Sequence, residues 1–141
     1  MTPDKDPDGY LMRLAYPHGL RFTADGRYMF VADAGLPFVH VYARGAGWEG
    51  RRPPVANIRI MSDFDYLKGR YNTQEGGPKG LEIDAQNHLL LVTSEFQPLA
   101  AFDLQAIIGQ IEAADQSGVA TRNASRIRST MKSMKRRVFG S

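Results

Sequence analysis

The chain has no cysteine. Disulfides, thiolate catalysis and cysteine-held metal are excluded with it. Histidine is scarce too: His18, His40 and His88 stand in separate segments, without the short spacing that presents two ligands to one metal. No metal or cofactor is expected. No apolar run approaches the roughly 20 residues that a membrane-spanning helix needs. The opening "MTPDKDPDGY" is acidic and lacks an apolar centre, so it does not read as a signal peptide, and a cytoplasmic location is the expectation. A nucleophile elbow, a phosphate-binding loop and a zinc-protease motif are also missing. The last absence concerns charge of one sign. Residues 116–141 carry seven basic side chains (Arg122, Arg126, Arg128, Lys132, Lys135, Arg136, Arg137) and no acid. Residues 1–115 carry 11 basic against 15 acidic residues, a net of −4. The overall net charge of +3 therefore belongs to the tail.

What is present suffices for one domain with a core: 141 residues, 43% hydrophobic and 23% charged. Its organisation is a repeat. "PHGLRFTADGRYMFVADAGLPFVHVY" (17–42) aligns without a gap over "PKGLEIDAQNHLLLVTSEFQPLAAFD" (78–103), at an offset of 61 residues. Pro17, Gly19, Leu20, Ala24, Val31 and Pro37 meet Pro78, Gly80, Leu81, Ala85, Val92 and Pro98. Each copy reads as three short strands. In the first these are Gly19–Thr23, Tyr28–Ala32 and Phe38–Tyr42, with Gly26 free to take the positive φ of a hairpin turn. Tyr28–Ala32 is the more continuous apolar run, as in a strand covered on both faces. The second copy supplies Leu81–Ile83, Leu89–Thr93 and Leu99–Phe102, and Val55–Met61 gives the first copy a fourth strand. Four antiparallel strands make one propeller blade. The expected fold class is all-β: a partial β-propeller of about two four-stranded antiparallel blades with a C-terminal α-helical basic tail.

The expected divisions follow. Residues 1–16 hold a strand of a preceding blade, Tyr10–Leu14; 17–77 form blade one and a long connecting loop; 78–104 form an incomplete blade two; 105–141 form the helical tail. Asp103 can cap a helix that places Leu104, Ile107, Ile108 and Ile111 on one face. In the tail, Ala120, Ala124, Ile127, Met131, Met134 and Val138 form a heptad-like stripe among the basic residues. That pattern suits packing on the body or contact with an anionic surface, and it contains no motif for specific nucleic-acid recognition.

The first copy resembles blades of the YVTN/lactonase-like and NHL-type β-propellers: a "GL" strand, a "DG" turn, a "VAD" strand and a closing "V-x-V" strand. The resemblance covers residues 9–104 and implies architecture more than chemistry. It implies a non-catalytic binding or scaffold module whose partners are other blades, a second copy, or a small-molecule or sugar ligand. Two other readings stay open: a lactonase-like hydrolase acting with a carboxylate, a histidine or metal-bound water, and a lectin-like oligomeric ring that binds sugars.

Antiparallel connectivity puts the loop entering a blade's first strand beside the loop joining its second and third. His18 and Asp33 should therefore meet, as should Lys79 and Glu95. In the functional reading His18 is a base or ligand, Asp33 and Glu95 are acceptors, and Lys79 contacts an anion or hydroxyl. In the structural reading Asp33 caps its own turn and His18 bonds a loop carbonyl. Within "SDFDYLKGRYNTQEGG" (62–77), Asp65 and Tyr66, with Asp63, Arg70 and Tyr71, could hold a ligand, or Phe64, Tyr66 and Leu67 could pin the loop down. "EGG" at 75–77 reads as a flexible approach to the second copy, His40 as a half-exposed strand residue and His88 as a turn residue.

Overall fold

The computed structural model describes residues 14–70, 75–92 and 99–117. The expected strand at Tyr10–Leu14 and the striped tail at 118–141 lie outside these, apart from Leu14 itself, which is exposed coil. The chain divides into two compact units, 1–104 and 105–141.

The first unit is built from two antiparallel sheets. One has four strands in the order β1 (Pro17–Phe22), β2 (Tyr28–Asp33), β3 (Phe38–Ala43), β4 (Ala56–Arg59). The other has three: β5 (Gly80–Ile83), β6 (His88–Val92), β7 (Ala100–Asp103). The first sheet has the four strands expected of it, and the second stops at three, as expected of the incomplete second copy, because the chain leaves β7 as a helix over 104–117. Leu104 is buried there, and Leu104 N–H donates to the Asn87 carbonyl at 3.0 Å. The part of that helix in the second unit exposes residues 105, 106, 109 and 110 and shelters Ile107, Ile108 and Ile111, as the apolar spacing requires. Among the described residues the sheets form no closed barrel.

The core follows the apolar runs. Phe30, Ala32, Val39, Val41, Leu89 and Leu91 are fully buried, and β2 is covered along its whole length except at Met29, which is half-buried. The long stretch 62–77 holds a short helix, α1 (Asp63–Lys68). Its start is set by Ser62, whose hydroxyl accepts Asp65 N–H at 3.0 Å, satisfying one orphan donor of the first turn. Arg52 braces the loop after β3, donating to the carbonyls of Ala43, Arg44, Gly47 and Glu49.

The two copies do not superpose without a gap. Six residues, 23–28, separate Phe22 from its partner Met29; five, 84–88, separate Ile83 from Leu89. The gapless alignment therefore holds for the first strand and slips by one residue beyond the turn. Each turn still places one residue at positive φ, Gly26 at 66° and Asn87 at 63°, because both hairpins need a left-handed residue. Side chains close the turns. Asp25 accepts the Thr23 hydroxyl and both Arg27 N–H groups, and the Thr23 bond, then Arg27, hold its carboxyl far below the ordinary range. Asp84 accepts the N–H groups of Gln86 and His88 and the His88 ring. Backbone N–H of His88, then its ring, keep the Asp84 carboxyl below its usual value. His88 thus opens β6 rather than sitting within the turn.

β5 lies along β1, running the same way. A Cβ at Gly19 would stand 3.3 Å from the Lys79 carbonyl and 3.8 Å from Leu81 N. Two residues further on, Arg21 Nε donates to both Glu82 carboxylate oxygens, at 3.0 and 2.9 Å. The partners are 61 residues apart, the offset of the repeat. Both side chains are about half exposed, so water screens the pair and it serves more to fix alignment than to stabilise.

Candidate functional site

Asp33 and His40 form the most enclosed polar group among the described residues. Asp33 ends β2 and is completely buried. Its Oδ2 accepts Ala15 N–H at 2.7 Å; its Oδ1 accepts Tyr16 N–H at 2.8 Å and Gly35 N–H at 2.9 Å. His40 Nε2 stands 3.2 Å from Oδ2, and His40 Nδ1 stands 2.5 Å from Asn57 Oδ1 on β4. Register explains the meeting: His40 lies opposite Asn57, and Pro17 opposite Asp33. Burial resists ionisation of Asp33, but the His40 contact and three backbone N–H groups outweigh it, so its carboxyl sits below the ordinary value. The Tyr42 hydroxyl is pushed up by burial and then by the Asp33 charge.

This overturns the half-exposed reading of His40, which is fully buried. A histidine between two partners on neighbouring strands no longer needs water. It also gives Asp33 a fastening role, tying the entry to β1, its own turn and β3 together. Asp33 and His18 share one end of the β1–β2 hairpin, yet their side chains go to different partners.

His18 turns to Glu75. Its Nε2 is 3.5 Å from Glu75 Oε1, while Lys79 Nζ donates to Glu75 Oε2 at 2.9 Å. The Tyr16 ring lies 5.1 Å from the His18 ring at a tilt of 53°. Because β1 and β5 run side by side, Pro17 and Lys79 reach the same rim. His18 and Lys79 are thereby brought together at equivalent places in the two copies. Glu75 bridges them, its side chain 18% exposed against 32% for His18 and 41% for Lys79.

The segment carrying Glu75 is firmly packed, not a flexible approach. Gly76 and Gly77 both donate to the Ala34 carbonyl, at 2.9 and 2.8 Å. A Cβ at Gly77 would overlap the Leu36 and Asp33 carbonyl oxygens, and one at Gly76 would lie 2.6 Å from the Tyr66 carbonyl. Only glycine permits this approach. Tyr66 adds a clamp, its hydroxyl donating to the Gly35 carbonyl at 2.7 Å. Asp65 instead serves α1, where it accepts the Ser62 hydroxyl at 2.7 Å. Phe64 and Leu67 do not pin this stretch, for they are 73% and 59% exposed. Glu95 lies outside the described residues.

The rim therefore unites His18 and Lys79 from the sequence reading with Glu75, which that reading passed over. The available signal was its position four residues before Lys79, next to two glycines. Chemically the rim offers a carboxylate acceptor, an ammonium donor, an imidazole and a phenol ring within one small area. Among the described residues no three His, Asp or Glu side chains group as a metal site would require. Comparison with protein families, curated proteins and solved structures finds no match for this chain.

Proposed function

We propose that the chain is a binding module of β-propeller type. Its two sheets act as successive blades, and its ligand site is the rim formed by Tyr16, His18, Glu75 and Lys79. The observation that carries this reading is the side-by-side course of β1 and β5, with Arg21 bonded to the residue one repeat later. First strands of successive propeller blades line a common channel in this way. The YVTN/lactonase-like and NHL-type resemblance of the sequence leads to the same architecture.

The ligand class follows from the rim's chemistry: a sugar or another small polyhydroxylated molecule. A carboxylate accepts hydroxyl protons, an ammonium donates to hydroxyl oxygens, and aromatic rings cover the C–H face of a pyranose. Titration of the protein with a panel of monosaccharides and sugar acids, followed by amide NMR shifts, tests this. Saturable shifts at residues 15–19 and 75–80, with affinity lowered about tenfold or more in Glu75→Gln and Lys79→Ala, are expected. Binding that ignores both substitutions, or no saturable shift at these residues, contradicts it.

One observation favours a lactonase-like hydrolase as second reading: the His18–Glu75 pair, in which the carboxylate can orient an imidazole as a general base. Lactone hydrolysis lost in His18→Ala would establish it. Activity unchanged in that variant would remove it.

A further inference from the structure

Resting on the rim reading above, we propose that the ligand is a sugar acid, and that Lys79 and His18 hold its carboxylate. The inference starts from what each rim group still has to give. A lysine ammonium carries three N–H donors. Among the described residues Lys79 Nζ spends one, on Glu75 Oε2 at 2.9 Å. His18 Nε2 stands 3.5 Å from Glu75 Oε1, beyond the roughly 3.2 Å of an ordinary N–H···O bond. The imidazole makes no hydrogen bond among the described residues and has the Tyr16 ring beside it. The rim is therefore short of acceptors. Two ammonium N–H groups and an imidazole surround a single carboxylate that already serves them both.

Exposure sets the order in which a ligand meets these groups. The Lys79 side chain is 41% exposed and that of His18 32%, against 18% for Glu75. The ammonium and the imidazole stand outward, and the Glu75 carboxylate lies behind them. It is held back because Gly76 and Gly77 tie its segment to the Ala34 carbonyl. An approaching anion thus reaches donors before it reaches like charge. Bonds between ionised partners are about twice as strong as neutral ones, so a carboxylate gains most from these donors. Glu75 keeps lone pairs for a hydroxyl proton, and the Tyr16 ring, 39% exposed, can cover a C–H face. Carboxylate, hydroxyl and C–H face on one small molecule describe a uronic acid. The charge of Lys79 is matched by that of Glu75, which suits a monoanion. A phosphate dianion calls for arginine forks or a cradle of backbone N–H groups, and the four rim residues supply neither.

The test is calorimetric titration of the 141-residue chain with D-glucuronate and D-galacturonate, their methyl esters, the parent neutral sugars and glucose 6-phosphate. The esters keep the ring and remove the charge. At least one uronate is expected to bind about tenfold or more tightly than its ester and its parent sugar. In Lys79→Gln that difference should vanish. Equal affinity for acid, ester and parent overturns the inference and leaves the rim as a site for neutral sugars. A preference for the acid that survives in Lys79→Gln overturns it as well, as does tighter binding of the sugar phosphate than of either uronate. No binding of any of these molecules removes the rim reading together with the inference.

Discussion

Asp33 is enclosed by three backbone N–H donors and the His40 ring and is excluded from water, and its ionised form is what the neighbourhood is built to hold. Asp33→Asn leaves N–H groups facing an amide and removes the charge beside His40. It should cost about 3 kcal/mol or more in urea unfolding. The pH dependence has a definite sign. A carboxyl whose folded pKa is lowered stabilises the protein fully above its unfolded value, here near 3.8, and loses that stabilisation as pH falls through the folded pKa. Stability should therefore drop as pH falls from about 5 toward 2, with a shallower drop in Asp33→Asn; equal slopes in the two proteins would contradict this. At this scale the sequence was only partly legible. The "DAG" turn offered Asp33 as a cap, and Gly35 N–H does bond it. His40 looked half-exposed because its partners Asp33 and Asn57 are 7 and 17 residues away in sequence, and only sheet register brings them to it. Glu75 was hidden for the same reason, since its contact with His18 depends on one sheet packing beside another.

Elements were read more easily than single contacts, because turns carry their own chemistry. Gly26 and Asn87 both take positive φ, as the two hairpins demand. Gly26→Ala should cost about 1 kcal/mol, whereas Asn87→Gly should be neutral or slightly stabilising, by thermal unfolding of each variant. The strands themselves lie close to where alternation and apolar runs put them. What the pattern could not reveal was the one-residue difference between the hairpins, since a gapless alignment matches letters and only hydrogen bonding counts the residues left in the turn. The packed "GG" was equally illegible. Two glycines read as flexibility until the Leu36 and Asp33 carbonyls are seen to occupy the space where a Cβ would go. Gly77→Ala should accordingly destabilise the first unit more than Gly26→Ala does, and should broaden or shift the amide signals of residues 34–36. A smaller effect than Gly26→Ala would show that this contact is not close.

For the molecule as a whole, the repeat predicts successive blades, and β5 does run along β1. Leu20 and Phe22 remain about half in water, and burial of such a side chain is worth about 1.5–3 kcal/mol. Leu20→Asp should therefore change the unfolding midpoint little, whereas Leu81→Asp, at a site 7% exposed, should unfold the chain; circular dichroism of the two variants distinguishes these outcomes. The rim site depends on β1 and β5 being neighbours in the same direction. The most direct measurement is a nuclear Overhauser spectrum of the labelled protein. Cross-peaks from the Gly19 α-protons to the Leu81 amide are expected, since a Cβ on Gly19 would lie 3.8 Å from that nitrogen. Intact β1–β2 and β5–β6 hairpins without any cross-peak between residues 18–22 and 79–83 would contradict the arrangement.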